Sequence, residues 1–174
     1  MSKQSYPRSK GRGKGKSPPF VRLFNRMIDS PNYAKLSGRA VKLLVDATRQ
    51  YKGVNNGDLC LTRSVMRRWG WTSNDQLQKA ILELEHYGFL VKSRQGGRNL
   101  ASLYALTFHP IDCCSGKHEL KETRKASNEW EIEQNEKPVF VKTLGRDTDQ
   151  VGPQYGLVAG SNVVELSRHA GQYR

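Results

Sequence analysis

The chain has 174 residues, with 29 Lys and Arg against 16 Asp and Glu, and a formal net charge of +13. That length makes one domain, or one small domain with tails, and the charge points to a polyanionic partner, nucleic acid or an acidic membrane surface. No apolar run approaches the roughly 20 residues that cross a bilayer, no apolar segment follows the basic N-terminus as in a signal peptide, and three cysteines without a pairing pattern fit a reducing compartment. The expectation is a soluble, cytoplasmic protein that does not engage a membrane.

The charge is unevenly spread. Residues 1–17 carry +6, residues 18–112 carry +7, and residues 113–174 balance to zero. In the first stretch Lys10, Arg12, Lys14 and Lys16 alternate with Gly and Ser, and no face could bury enough apolar area to offset backbone ordering. Residues 1–19 therefore read as a basic flexible arm for phosphates or a minor groove. A solubilising tail is the blander reading; the arm is favoured because DNA would relieve the repulsion between like-charged neighbours.

Phe20, Leu23, Phe24, Met27 and Ile28 have helical spacing, with Ser30-Pro31 as the stop and Asn32 to Lys35 as a turn. Ser37 caps a helix to about Tyr51, whose apolar stripe is Ala40, Leu43, Leu44, Ala47 and Tyr51. Gly53 to Asp58 is a turn-rich connection. Leu59-Cys60-Leu61 is a short apolar run, and Thr62 starts a short helical segment over Arg63–Trp69 that Gly70-Trp71-Thr72 breaks. Ser73 and Gln76 form a capping box for a second helix reaching about Tyr87, with Leu77, Ala80, Ile81, Leu84 and Tyr87 buried. The opposite face carries Asp75, Gln78, Lys79, Leu82 and His86. Gly88 ends the helix. Phe89–Arg94 then reads as a strand, Gln95–Asn99 as a turn in which Gly96-Gly97 supply the positive φ, and Leu100–Phe108 as a largely inward-facing return strand.

Helix, tight turn, helix and basic-tipped hairpin is the order of a winged helix-turn-helix. The fold class expected is mainly α with a small antiparallel β hairpin, spanning residues 20–112, with disordered N- and C-terminal tails. Thr72, Ser73, Asn74, Gln78 and Lys79 are the candidates to read bases in a major groove. Arg63, Arg67 and Arg68, with Lys92, Arg94 and Arg98 on the hairpin, are the candidates for phosphate contact. Each is weighed against an ordinary solvated side chain, and the setting of turn and hairpin favours DNA.

The phrases Leu36-Ser37-Gly38-Arg39-Ala40, Val54-Asn55-Asn56-Gly57, Glu83-Leu84-Glu85-His86-Tyr87-Gly88-Phe89 and Arg94-Gln95-Gly96-Gly97 together resemble helix-turn-helix proteins encoded by bacterial prophages, plasmids and related mobile elements. The resemblance covers roughly residues 20–112. It implies double-stranded DNA as partner, in transcriptional control or at a replication origin.

Residues 113–174 read as a largely disordered tail, with a short helix around Ser127 to Asn135 and a candidate docking segment for a protein partner in its last apolar patch. His109, Cys113, Cys114 and His118 lie close together, yet adjacent cysteines suit one tetrahedral site poorly, so no metal is expected. No Gly-x-x-x-x-Gly-Lys-Ser/Thr, Gly-x-Ser-x-Gly or His-Glu-x-x-His motif is present, and neither catalysis nor a cofactor is expected. A homodimer is compatible with this reading, although no long heptad run supports one. The alternative from another class is a protein-interaction module that inhibits or recruits a host complex.

Overall fold

The computed structural model describes residues 18–143 and 154–158; the basic arm, with Lys10, Arg12, Lys14 and Lys16, lies outside the described residues. The chain enters through a short helix α1 (Asn25–Ile28), and Phe20 to Leu23 are not helical. α1 ends just before Ser30-Pro31, as expected, but the same pair also starts a helix where Asn32 to Lys35 was expected to be a turn. Ser30 accepts a hydrogen bond from the Tyr33 N–H at 3.2 Å and Pro31 takes the first helical position, where its missing N–H costs nothing, so α2 runs Pro31–Ala34. Helix α3 (Gly38–Gln50) is capped by Ser37 as the sequence predicts, and Ala40, Leu43, Leu44 and Ala47 are fully buried.

Strand β1 (Leu59–Cys60) leads to α4 (Arg63–Met66), a 3-10 turn over Arg67–Trp69, and α5 (Asn74–His86). Strands β2 (Leu90–Arg94) and β3 (Leu103–Leu106) follow, in a three-stranded antiparallel sheet of order β1-β3-β2. The return strand is shorter than expected. One core cluster joins the stripes of α3 and α5 to Met66, Trp71, Phe89, Tyr104, Leu106 and Phe108. Helix α5 is also tied to the start of α3, where the buried Glu83 carboxylate accepts from the Ser37 N–H at 2.5 Å and its hydroxyl at 2.7 Å. That carboxylate satisfies an orphan amide just where the helix dipole favours negative charge.

The core does not end at residue 112. From His109 to Pro138 the chain straps itself around the domain, and the expected disordered tail is corrected over this length. Three anchors explain why. The first is Asn56, fully buried, whose Nδ2 donates to the carbonyls of Leu106, His109 and Pro110 at 2.8–3.0 Å while Oδ1 accepts the Leu106 N–H at 2.7 Å. The second is Trp130, only 3% exposed, stacked on Phe89 at 6.5 Å. Burying an indole removes about 150–250 Å² from water, on the order of 4–6 kcal/mol, enough to order several residues of strap. The third is Asn32, which donates to the carbonyls of Trp130 and Ile132 at 2.9 and 2.8 Å and accepts from the Gln134 N–H at 2.9 Å. The short helix expected around Ser127 is a single 3-10 turn, Glu129–Glu131.

Beyond the strap, β4 (Val139–Thr143) pairs antiparallel with β5 (Gln154–Val158), from Val139 opposite Val158 to Thr143 opposite Gln154. Strand β5 lies against α5.

Candidate nucleic-acid interface

The turn between α4 and α5 is built rigidly. Gly70 takes φ 88°, a left-handed conformation that stops the 3-10 turn without a Cβ clash. Trp71 is buried beneath it, donating its indole N–H to Asp46 of α3 at 2.8 Å. Lys42 sits 4.9 Å above the same ring and donates to Asp46 at 2.6 Å and to the Trp69 carbonyl at 2.7 Å. Two groups of one α3 face, Lys42 and Asp46, thus tie the turn to that helix.

Ser73 caps α5 and accepts the Gln76 N–H at 3.3 Å, one half of the expected capping box. Of the five base-reading candidates, Thr72 is exposed, while Ser73, Asn74, Gln78 and Lys79 are half-buried. Lys79 pairs with Asp75 one turn back at 3.1 Å. The outward face departs from expectation at Leu82, which is only 6% exposed although it stands between Gln78, Lys79 and His86 on the side away from the core cluster.

The phosphate candidates divide. Arg63, Arg67, Arg68 and Arg98 are exposed and form no ion pair among the described residues. Arg68 lies 4.3 Å over the Trp69 ring and Arg49, on α3, lies 5.3 Å from it, so one half-buried indole braces two guanidinium groups. Arg49 was not among the sequence candidates; its one sequence signal is its place on the polar side of the α3 stripe. Lys92 is half-buried near Glu85, whose carboxyl is pushed up by burial and pulled partly back by that lysine. Arg94 faces protein: its guanidinium donates to the carbonyls of Ala101 at 3.0 Å and Lys117 at 2.8 Å, holding the strap to the hairpin.

The hairpin tip is also built differently from the sequence expectation. Gly97 and Leu100 exchange two backbone hydrogen bonds, at 2.9 and 3.1 Å, so Arg98 and Asn99 form the two-residue loop. The positive φ falls on Asn99, at 61°, and neither Gly96 nor Gly97 supplies it. Asparagine tolerates that region through its short polar side chain. Gly96 is needed for closeness: a Cβ there would stand 2.6 Å from the Ser102 nitrogen. Arg98 is thereby held at the tip.

Two of the strap's carboxylates pair elsewhere. Glu131 pairs with Arg26 at 2.5 Å and Glu133 with Lys35 at 2.7 Å, both on the α1–α2 side. His118 is buried against Gly57 and shares a hydrogen bond with the Asp112 carbonyl at 2.8 Å; no group of three or more metal-ligating side chains occurs among the described residues. No helix is long and apolar enough to cross a membrane among the described residues.

Comparison with protein-family models, with curated proteins and with solved structures finds no match.

Proposed function

We propose that the chain is a winged helix-turn-helix that binds double-stranded DNA without catalysing a reaction on it, in transcriptional control or origin recognition for a mobile element. One observation carries the reading: the sorting of charge. Glu131 and Glu133 of the strap neutralise cations on the α1–α2 side, while Arg63, Arg67, Arg68 and Arg98 stay exposed and without an ion pair among the described residues on the elements before and after α5. Such cations release counterions from phosphates on binding. In this reading α5 enters the major groove by its first turns, with Asn74, Gln78 and Lys79 toward base edges, and Arg98 rides the adjacent backbone. Lys92 and Arg94 act mainly in holding the hairpin.

The test starts from fragments selected out of genomic DNA, with binding measured across a salt series. A site-specific protein prefers its fragment by about a thousandfold or more. Replacing Arg63, Arg67 and Arg98 together by Ala is expected to weaken all DNA alike and to flatten the log–log salt slope by about 0.9 per phosphate contact, about 2.7 for three. Gln78→Ala is expected to cost about 1–3 kcal/mol on the preferred fragment alone. An unchanged slope in the triple variant rules out this surface. If no DNA binds, the search turns to an acidic protein partner.

A further inference from the structure

Leu82 sits at the centre of the face that a groove-reading α5 would turn to DNA, and it is already covered, whereas Asp75 and Lys79 on the same face keep 41% and 42% of their side-chain surface exposed. The helical wheel places Leu82 about 140° from Leu77 at the heart of the buried stripe, with Asp75, Gln78, Lys79 and His86 around it. A leucine there should be largely exposed; it is 6% exposed and does not belong to the core cluster. Among the described elements, three make the main packing contacts with α5. Helix α3 and strand β2 share the core side with it, and the third is β5. The chain is led to this position by the strap, whose Glu136 carbonyl shares a hydrogen bond with His86 Nε2, on the same outward face, at 2.9 Å. From there β4 and β5 form a five-pair antiparallel ladder.

We infer that the β4–β5 hairpin is a built-in cover on the outward face of α5, and that DNA and this hairpin compete for the same helix surface. The inference rests on the DNA reading above. Dimensions decide the competition. A helix with its side chains is about 10–12 Å across and the major groove is about 12 Å wide, so no second layer fits between α5 and the bases. The apparent affinity of the full chain is then the intrinsic affinity reduced by the fraction of molecules in which the hairpin has lifted. What lifts it is DNA itself, or any ligand that takes the hairpin. The core that Leu77, Ala80, Ile81 and Leu84 of α5 share with α3 and Trp130 is on the other side of the helix from Leu82, so the hairpin leaves without unfolding the domain.

Two variants test this on a chain whose core and strap are intact. One ends after Pro138. The other is the full chain with Gly156→Pro, which places a proline opposite Val141 in the middle of the ladder and disrupts its pairing. Removing residues 139–174 takes away four Lys and Arg and three Asp and Glu, one net positive charge, so electrostatics alone would weaken DNA binding slightly. The cover predicts the opposite: both variants bind the selected fragment tighter than the full chain, by about tenfold if the hairpin is closed nine-tenths of the time. Amide chemical shifts of α5 are read on the same samples without DNA. Movement at Asp75, Gln78, Lys79 and Leu82 on loss of the hairpin, with Leu77, Ile81 and Leu84 little changed, is expected. Unmoved shifts overturn the cover whatever DNA does. Moved shifts with equal or weaker DNA binding overturn the competition. Moved shifts with no DNA bound by any form overturn the DNA reading, and the competition falls with it.

Discussion

Asn56 joins the first half of the domain to the strap, and its replacement separates two effects by pH. In Asn56→Ala the Leu106 N–H loses its acceptor inside the core, and the carbonyls of His109 and Pro110 lose their donor. The Leu106 carbonyl keeps a partner in the His109 N–H, at 3.4 Å. With about 1–3 kcal/mol for each buried group left unpaired, and two of the three only half-buried, the loss is about 3–5 kcal/mol. Asn56→Asp keeps an acceptor for Leu106 but turns a carboxylate toward three carbonyls, beside the Asp112 carboxylate that holds the Asn56 N–H at 2.7 Å. At neutral pH it should be the worse of the two. Its folded-state pKa is raised above the unfolded value of about 3.9, because the protonated form is neutral and regains a donor. A raised carboxyl pKa means that stability is retained at low pH and lost as pH rises through the folded pKa. Urea unfolding followed by tryptophan fluorescence measures this directly. At a slope of about 2 kcal/mol per molar, the alanine variant shifts the midpoint by about 2 M. The aspartate variant should lie below the alanine variant at pH 7.5 and close on it toward pH 4.5. A loss under about 1 kcal/mol in Asn56→Ala, or an aspartate penalty that does not change with pH, refutes the account of this residue.

Two further outcomes follow from the same geometry. Gly88 takes φ 73° at the end of α5, and a Cβ there would stand 2.7–2.8 Å from the backbone of Glu129 and Trp130, whereas Gly53, at φ 93°, faces open space. Gly53→Ala should therefore cost about 1–2 kcal/mol of backbone strain and Gly88→Ala about 2 kcal/mol or more beyond that, measured as the difference in urea midpoints; equal losses would mean that the strap does not press on Gly88. His109 is held below the ordinary histidine range chiefly by burial, with Asp112 opposing and Arg22 adding to the effect. It stacks on Tyr51 at 4.3 Å. A lowered histidine pKa favours the neutral ring in the fold, so stability present above about pH 6.5 is lost as pH falls through the folded pKa. His109→Asn should flatten the slope of unfolding free energy against pH between pH 7.5 and 5.5, and an unchanged slope places the titration elsewhere.

The two long periodic segments were legible in the sequence, whereas the stripe from Phe20 to Ile28 is helical only over its last turn and single-residue contacts were not legible. The stripes of α3 and α5 and the serine caps at Ser37 and Ser73 stand in the structure as their spacing predicts, because each is a local pattern repeated over several turns. The helix that begins at Pro31 was missed because residues that stop one helix can also start the next, and only the Ser30 hydrogen bond shows that they do. The strap carries no period at all. Its hold depends on Trp130, and on Asn32 and Asn56, which bond partners about 50 to 102 residues away, a separation that no local window contains. Among the site residues, exposure of Arg63, Arg67, Arg68 and Arg98 was readable from their setting. The engagement of Arg94 by two carbonyls and the covering of Leu82 were not, since both depend on the strap and the hairpin beyond it.

Trp130 gives the domain an order of events during synthesis. Forty-one residues separate it from Phe89, the ring it stacks on. At about 5–20 residues per second the ribosome needs roughly 2–8 s to make that length. Throughout that interval Phe89, the Gly88 turn and the Asn32 amide have no strap to meet. The nascent domain passes through a stage with its own apolar gap open to solvent, and the arrival of one indole ends that exposure.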